Sequence, residues 1–429
     1  MSSNSINSTS MNTTSMNSTS MNSTSMNSTS ISYTLDYHFE PEYLKDTCNV
    51  HNFSKENEDK YLVSYNKSKT NIKENVDTVG LHRSLIFLNN RLVCFSPPKS
   101  LSFEHFRYKH HNIDTNELLI EEFVEGTMIN TFYNNISKSW EIATKNNIGA
   151  TNIFYKGSMY SFSDLFYNTC ECLGLYLETA LNKNYCYSFV MKHPYNPLVQ
   201  YVTHPQLYLI EVYEIEHVSE SNIQIHVRDR NKIAEQLSIN WDIKIPRQFN
   251  FKSYEDMIFP KLLIYEDPYY IRKCISMGYI IKNKITNERT KLRNEEYQYL
   301  HRLRGNQYDF FYQYLLLRKS GQVKDFLNYF PENNELLNYY RDTFHNFTLS
   351  IYSFYCLVHI EKRMAFHEIP SVYKNYVYKL HGLYISKKND DPSFKITKKY
   401  VIDYVNKLPT SLLYTSYNKH LNYINNSFA

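Results

Sequence analysis

Nine glycines serve 429 residues, and none of them closes a Lys-x-Asp-Gly sequence. Seven cysteines are scattered, with only Cys170 and Cys172 close together and no Cys-x-x-Cys pair. That spacing signals neither a zinc knuckle nor a disulfide framework, and reduced, buried thiols are expected. No run approaches the ~18–20 apolar residues of a membrane span, and no charged start followed by an apolar stretch marks a secretory leader. A soluble, intracellular protein with no membrane partner is the expectation, and the Asn-x-Thr sequons near the start, such as Asn17-Ser18-Thr19, then carry no glycan. Charge of one sign is nearly absent as a surplus, the net being +4.

What is present is length enough for two or three compact domains. Residues 1–33 open on a five-residue repeat of Met, Asn, Ser and Thr, too poor in apolar surface to offset the entropy of ordering. A disordered tail is expected there, followed by a polar lead-in over 34–80. Tyr (41), Asn, Lys and Ile are abundant beside scarce Gly and Trp, as an AT-rich coding sequence would produce. Such a bias fits a large DNA virus or an intracellular microbe, with host cytoplasm or virion as the corresponding location.

From Leu85 short apolar runs alternate with turn residues. Residues 85–88 and 92–95 around Asn89-Asn90 predict a hairpin. Further strands are predicted over 118–124, 128–132, 140–143, 185–191, 207–215, 223–227 and 278–281, with one helix over 162–182. Strand runs with an occasional helix predict an α+β, antiparallel-rich domain over 81–294. Beyond it the period changes. Tyr340, Phe344, Phe347, Ile351, Phe354 and Val358 form an apolar stripe at helical spacing, with Pro331 in the first turn, and 295–429 is predicted to be a mostly helical domain. Between Lys282 and Arg304 seven Lys/Arg face three Glu, a local surplus equal to that of the whole chain. A strip of that kind can meet phosphates, although charge runs are more often solvated surface.

Five segments can carry chemistry. Ser96-Pro-Pro-Lys99 ends the first. Glu121-Glu-Phe-Val-Glu-Gly-Thr-Met-Ile129 is next, then Trp140-Glu-Ile-Ala-Thr-Lys-Asn-Asn-Ile-Gly149. Tyr187-Ser-Phe-Val-Met-Lys-His-Pro-Tyr-Asn-Pro-Leu-Val199 precedes an apolar strand, and Ser276-Met-Gly-Tyr-Ile-Ile281 precedes Lys291-Leu-Arg293. In this order they resemble the RNA ligases of the phage RNA ligase 1 type, within the covalent nucleotidyltransferase superfamily. The resemblance covers about residues 81–330, and Gly126, Gly149, Gly278 and Gly305 fall on its matching positions.

The resemblance implies a nucleotidyltransferase (ATP-grasp-like) domain followed by a helical one. It also implies a lysine that attacks the α-phosphate of a nucleotide, carboxylates that hold a divalent metal, and further lysines that neutralise the phosphates. Aligning Glu125-Gly126-Thr127 with Asp-Gly-Ser puts Phe123 where that lysine belongs, and a phenyl ring cannot form a phosphoramidate. Ser188 and Met277 stand at the two acidic positions. No catalytic residue and no metal ligand is therefore assigned, His193 and His204 each abutting a proline in a turn-like setting. The nucleotide- or phosphate-binding candidates are Lys99, Glu125, Gly126, Thr127, Lys145, Lys291 and Arg293. For Lys145 a strand followed by a solvated turn is the plain alternative. Arg302, Arg304 and Lys319 are the RNA-backbone candidates, against a basic helix at a domain junction. Lys379-Leu-His-Gly382 is the one Lys-x-x-Gly singled out, and it lies after every other motif.

Three functions remain open at this stage. The first is an RNA-ligase-like protein that has lost or altered nucleotidyl transfer while retaining phosphate or RNA binding. The second is an active RNA ligase or capping-type nucleotidyltransferase using ATP and Mg with an unorthodox lysine such as Lys99 or Lys145. The third is a structural or partner-binding protein on the inherited fold. Cofactor and oligomeric state are otherwise not fixed by the sequence.

Overall fold

The computed structural model describes residues 31–36, 40, 44–69, 79–156, 158–258, 264–265 and 274–427. The tail expected over 1–33 lies outside the described residues up to residue 30. Its last two residues, Ser32 and Tyr33, belong to a strand. The described residues fall into two compact units that divide at Gln298/Tyr299, the second also holding Tyr155 and Lys156.

The first unit is α+β and antiparallel-rich. Its strands are β1 (Ser32–Asp36), β2 (Cys48–Asn52), β3 (Lys60–Tyr65), β4 (Leu85–Leu88), β5 (Arg91–Cys94), β6 (Leu118–Glu122), β7 (Thr127–Asn134), β8 (Ser139–Ala143) and β9 (Tyr185–Lys192). They continue with β10 (Gln206–His217), β11 (Asn222–Val227), β12 (Ile243–Lys244), β13 (Gln248–Phe249), β14 (Ile264–Tyr265), β15 (Cys274–Ile275), β16 (Gly278–Asn283) and β17 (Arg289–Arg293). The helices are α1 (Phe103–Lys109), α2 (Phe162–Cys172), α3 (Leu177–Ala180), α4 (Arg230–Ser238) and α5 (Tyr254–Ile258).

The large sheet runs β1-β11-β10-β9-β7-β8, with β12 added parallel to β10. One small sheet runs β2-β3-β4-β5 and a second β13-β6-β16-β17. The 34–80 stretch is thus more than a lead-in, since three of its segments are paired strands. Its polarity concealed this because buried polar groups there find partners. Lys60 of β3 is buried yet ion-pairs with Glu58 and with Glu141 of β8 at 3.0 and 2.8 Å. The β4–β5 hairpin turns at Asn89 and Asn90, both with positive φ of 45° and 64°, a conformation asparagine tolerates better than most residues.

The helix expected over 162–182 is two helices. Ser161 caps α2 in a capping box with Asp164, and the chain leaves the helix through Gly174 at φ +64° before α3 begins. The buried residues of α2, Leu165, Phe166 and Cys170, pack with Ile129, Phe189 and Leu209 from one face of the large sheet. The opposite face meets the β2-β3-β4-β5 sheet through Phe132, Cys186 and Tyr213 against Leu62, Phe87 and Phe95.

Two-residue alternation decides what the β6/β16/β17 sheet presents. Ile120, Tyr279, Ile281 and Leu292 face α1 and α5 in a separate core with Phe106 and Met257. Register then places Glu121 opposite Ile280, Ile280 opposite Lys291 and Lys282 opposite Arg289. The residues of odd number on β6 and β17 and of even number on β16 share the other face.

The second unit is helical, as the sequence predicts for its chain. After α6 (Glu295–Arg304), which crosses the division, come α7 (Phe310–Ser320), α8 (Val323–Tyr329), α9 (Asn334–Tyr355), α10 (Ser371–Asp390), α11 (Lys398–Asn406) and α12 (Thr410–Ser427). On α9 the predicted stripe supplies Phe344, Phe347 and Ile351 as buried residues. Pro331 opens a short 3-10 turn directly before it. No helix among the described residues is long and apolar enough to cross a membrane.

Candidate functional site: a cationic cleft in the first unit

The end of β6 positions Phe123, whose amide donates to the Gly278 carbonyl at 2.9 Å. The chain then turns through Glu125-Gly126 into β7. Gly126 has φ +146°, and a Cβ there would overlap the Met191 carbonyl oxygen of β9. Gly278 has φ +125°, and a Cβ there would overlap the Leu292 carbonyl oxygen of β17. Both strand junctions therefore require glycine: Gly126 lets the turn after β6 approach β9, and Gly278 lets the start of β16 close on β17.

On that face stand Arg289, Lys291 and Arg293. The Lys291 ammonium lies 4.7 Å from the centre of the Phe123 ring and the Arg293 guanidinium 5.9 Å from it. Phe123 thus forms a floor for two cations at the position where the resemblance implies a lysine. Burial holds Lys291 well below the ordinary lysine range, and the charges of Arg83, Arg289, Arg293 and Lys99 push the same way.

Two candidates from the segments that follow β5 and β8 join this group. Lys99, whose ammonium donates to the Ser100 carbonyl at 3.1 Å, is depressed by burial and then by Lys67, Arg83 and Arg293. Lys145 sits 4.5 Å above the Tyr65 ring and is depressed by burial and then by Arg83, Lys67 and Lys99. Arg83, itself held below its ordinary value by burial and by Arg289, links the two groups. Charges acting on these lysines are all of one sign, which is costly in a ligand-free protein.

Arg289 is 7% exposed. Its Nε and Nη2 atoms meet no acceptor among the described residues, so a buried guanidinium is left with donors to give. Sequence reasoning did not select Arg83 or Arg289. The alternation Arg289-Thr-Lys291-Leu-Arg293, three cations on one strand face, was a usable signal for the latter.

The acidic positions are differently filled. Ser188 is fully buried on β9 and donates from Oγ to Asn130 Oδ1 at 2.8 Å. Its neighbour across the sheet is Glu211, but Glu211 is ion-paired to Lys282. Lys282 also meets Glu121 at 3.0 Å, and Glu121 in turn holds Arg230. Burial alone would raise Glu121, yet Lys282 and Arg230 outweigh it and hold the carboxyl below its usual range. These carboxylates are occupied by cations of their own. Met277, half-buried at the mouth of β16, contributes no carboxylate either. No group of three or more His, Cys, Asp or Glu among the described residues is arranged to hold a metal ion.

Glu125, Gly126 and Thr127 form the turn after Phe123 and tie it to the segment that follows β9. Glu125 is buried and accepts from the amides of Val199 and Gln200 at 3.1 and 3.0 Å. Burial raises its carboxyl, against the hydroxyl of Tyr297 and those amides. Thr127 Oγ1 accepts from Asn196 at 2.9 Å, so the Pro-Tyr-Asn segment is tied to the turn. His193 Nε2 is 3.0 Å from Asn168, and its Nδ1 accepts from the Tyr195 amide.

In the second unit Arg302 and Lys319 are exposed. Arg304 is not a surface cation. Its guanidinium lies 4.9 Å from the rings of both Tyr155 and Phe310, in an aromatic packet. Lys379 lies exposed on α10, in this helical unit.

No protein-family model matches the sequence, and no curated protein does. Solved structures do align. A mutant of Naegleria gruberi RNA ligase with ATP and Mn aligns at 9% identity and a TM-score of 0.36, covering 48% of this chain and 58% of that one. A second mutant of the same ligase, also with ATP and Mn, aligns at 8% identity and a TM-score of 0.36 over 64% of this chain and 84% of that one. The chain thus spans little more than half the length of the first of these ligases. At that degree of overlap neither residues nor activity transfer from one chain to the other.

Proposed function

We propose that this chain is an RNA-ligase-like protein that binds the phosphate groups of a nucleotide or RNA terminus in its cationic cleft, without covalent transfer at position 123. The observation that carries the proposal is the gathering of part-buried cations, with Arg289, Lys291 and Arg293 on one strand face, Lys291 and Arg293 over the Phe123 ring, Arg83, Lys99 and Lys145 acting on the same group, and unpartnered donors on Arg289. A structural protein gains nothing from gathering like charges there, since each raises the free energy of the ligand-free fold. The phenyl ring of Phe123 supports cations and offers no nucleophile.

The test is retention of α-labelled ATP and of 5′-phosphorylated RNA by the native protein, followed by a denaturing gel. Saturable retention with no label surviving denaturation is expected, and the two ligands separate a nucleotide from an RNA source of the same phosphate chemistry. Absence of retention for both would remove the proposal.

One observation favours a second reading, an active nucleotidyltransferase with a displaced nucleophile. The Lys291 amine is buried beside Phe123 and held toward its neutral form, the form that attacks phosphorus. In that reaction its nitrogen would bond to the α-phosphorus of a nucleoside triphosphate, pyrophosphate would leave, and the amine proton would pass to solvent. An acid-labile band that disappears in Lys291→Arg would establish this reading; its absence beside an active control ligase would end it.

A further inference from the structure

The resemblance implies a nucleotide delivered with a divalent metal, and the residues of this cleft do not suit one. Mg²⁺ and Mn²⁺ require hard oxygen ligands, commonly one or two carboxylates beside the phosphate oxygens. Ser188 and Met277 stand at the positions where such carboxylates are implied. Ser188 spends its hydroxyl on Asn130. Glu211, its neighbour across the sheet, and Glu121 are held by Lys282 and Arg230. Releasing Glu121 would leave the buried Arg230 guanidinium without its carboxylate, and releasing Glu211 would leave the buried Lys282 with Glu121 alone, both costly exchanges.

In contrast, the cleft oversupplies positive charge. The charges that bear on Lys291 come from three arginines and a lysine, and the buried Arg289 keeps two donors unused. A planar guanidinium with free Nε and Nη2 is shaped to grip two oxygens of one phosphate. One phosphate group, carrying about −2 at most, would leave most of this charge unanswered.

We propose that the cleft takes a chain of several phosphates in its metal-free form, with Arg83, Arg289, Lys291 and Arg293 neutralising the charge that a divalent cation ordinarily shares. Mg²⁺ is then an antagonist. It sequesters the ligand as a complex of lower charge and places a cation where the protein already has several. This inference rests on the phosphate-binding reading given under Proposed function and fixes the ligand class within it.

The experiment is a titration of the full-length protein with a fluorescent ATP analogue, displaced by inorganic tripolyphosphate. It is run at constant ionic strength, once with a chelator and once with millimolar MgCl₂. The expected result is binding with chelator present, weakened at least about tenfold by Mg²⁺, and displacement by tripolyphosphate but not by orthophosphate at equal concentration. Arg289→Gln should weaken the chelator arm about tenfold or more. If that variant fails to fold, Arg83→Gln provides the same comparison.

Binding that requires Mg²⁺, or is unchanged or strengthened by it, would overturn the metal-free proposal and leave the phosphate-binding reading intact. Equal displacement by orthophosphate would overturn the assignment to a chain of phosphates. No binding in either arm would overturn both readings at once.

Discussion

Replacing Lys291 by methionine should stabilise the ligand-free protein while removing its affinity for phosphate. Methionine keeps an unbranched stem whose sulfur can rest against the Phe123 ring. What disappears is the ammonium 4.7 Å from that ring, a contact worth about 0.5–2 kcal/mol. What is relieved is the crowding of a buried amine by Arg83, Arg289, Arg293 and Lys99. Repulsion from these four like charges, in surroundings of effective dielectric about 20, opposes that loss and exceeds it. A net gain of about 0.5–2 kcal/mol follows, the size usual when a functional group is removed, and each kcal/mol raises the melting temperature of a domain this large by about 2–4 °C.

The pH dependence has a definite sign. The folded lysine has a lower pKa than the unfolded one, so the unfolded chain binds a proton that the folded chain releases. Wild-type stability therefore climbs as pH rises from the depressed folded value of Lys291 toward the ordinary lysine value of 10.5, and Lys291→Met flattens that climb. Both tryptophans, Trp140 and Trp241, belong to the first unit, so their fluorescence follows its unfolding by urea between pH 7 and 10. The reasoning is refuted if the variant is less stable than wild type by 1 kcal/mol or more, about a fivefold change in the folding equilibrium. It is also refuted if tripolyphosphate stabilises both proteins equally.

Other outcomes follow from the same geometry. Gly278→Ala places a Cβ against the Leu292 carbonyl at φ +125° and should cost about 1–3 kcal/mol or more in urea titration, with loss of phosphate binding as the β16–β17 pairing shifts. Lys282→Ala strands Glu211 in the interior and leaves Glu121 to Arg230 alone, and should cost about 3–5 kcal/mol. In the wild type the depressed Glu121 carboxyl contributes stability that is present above the ordinary pKa near 4.5 and lost as pH falls through its lower folded value, and circular dichroism across pH 2–6 should show this acid step shrinking in the variant. Glu125→Gln keeps an acceptor for the Val199 and Gln200 amides. Because the folded carboxyl is raised, wild-type stability falls as pH climbs from about 4.5 through the folded value, and the glutamine variant should lack that fall.

Much of the strand framework was legible because it follows apolar alternation and turn residues. The 85–88 and 92–95 runs around Asn89-Asn90 gave the hairpin, and β6, β7, β9, β10, β11 and β16 all lie on predicted runs. Illegible were β1, β2 and β3, whose polar residues read as a lead-in because the partners of Lys60 lie at Glu58 and, far along the chain, at Glu141. The break at Gly174 was hidden inside an apolar spacing that runs on past it. Among the site's cations Lys99, Lys145, Lys291 and Arg293 were selected by the order of the motifs, Arg289 was marked only by the two-residue alternation with Lys291 and Arg293, and Arg83 needed three dimensions. Arg304 shows the converse. Its basic sequence context suggested an RNA contact, and the fold encloses it among Tyr155, Phe310 and Phe330.

The most direct measurement is isothermal titration calorimetry of the full-length protein with ATP in chelator, repeated on Arg289→Gln and Lys291→Met. Saturable binding with one ligand per chain, reduced at least tenfold in both variants, is expected from a cleft whose buried donors grip phosphate. Heats of dilution alone in the wild type, or undiminished binding in both variants, would contradict it.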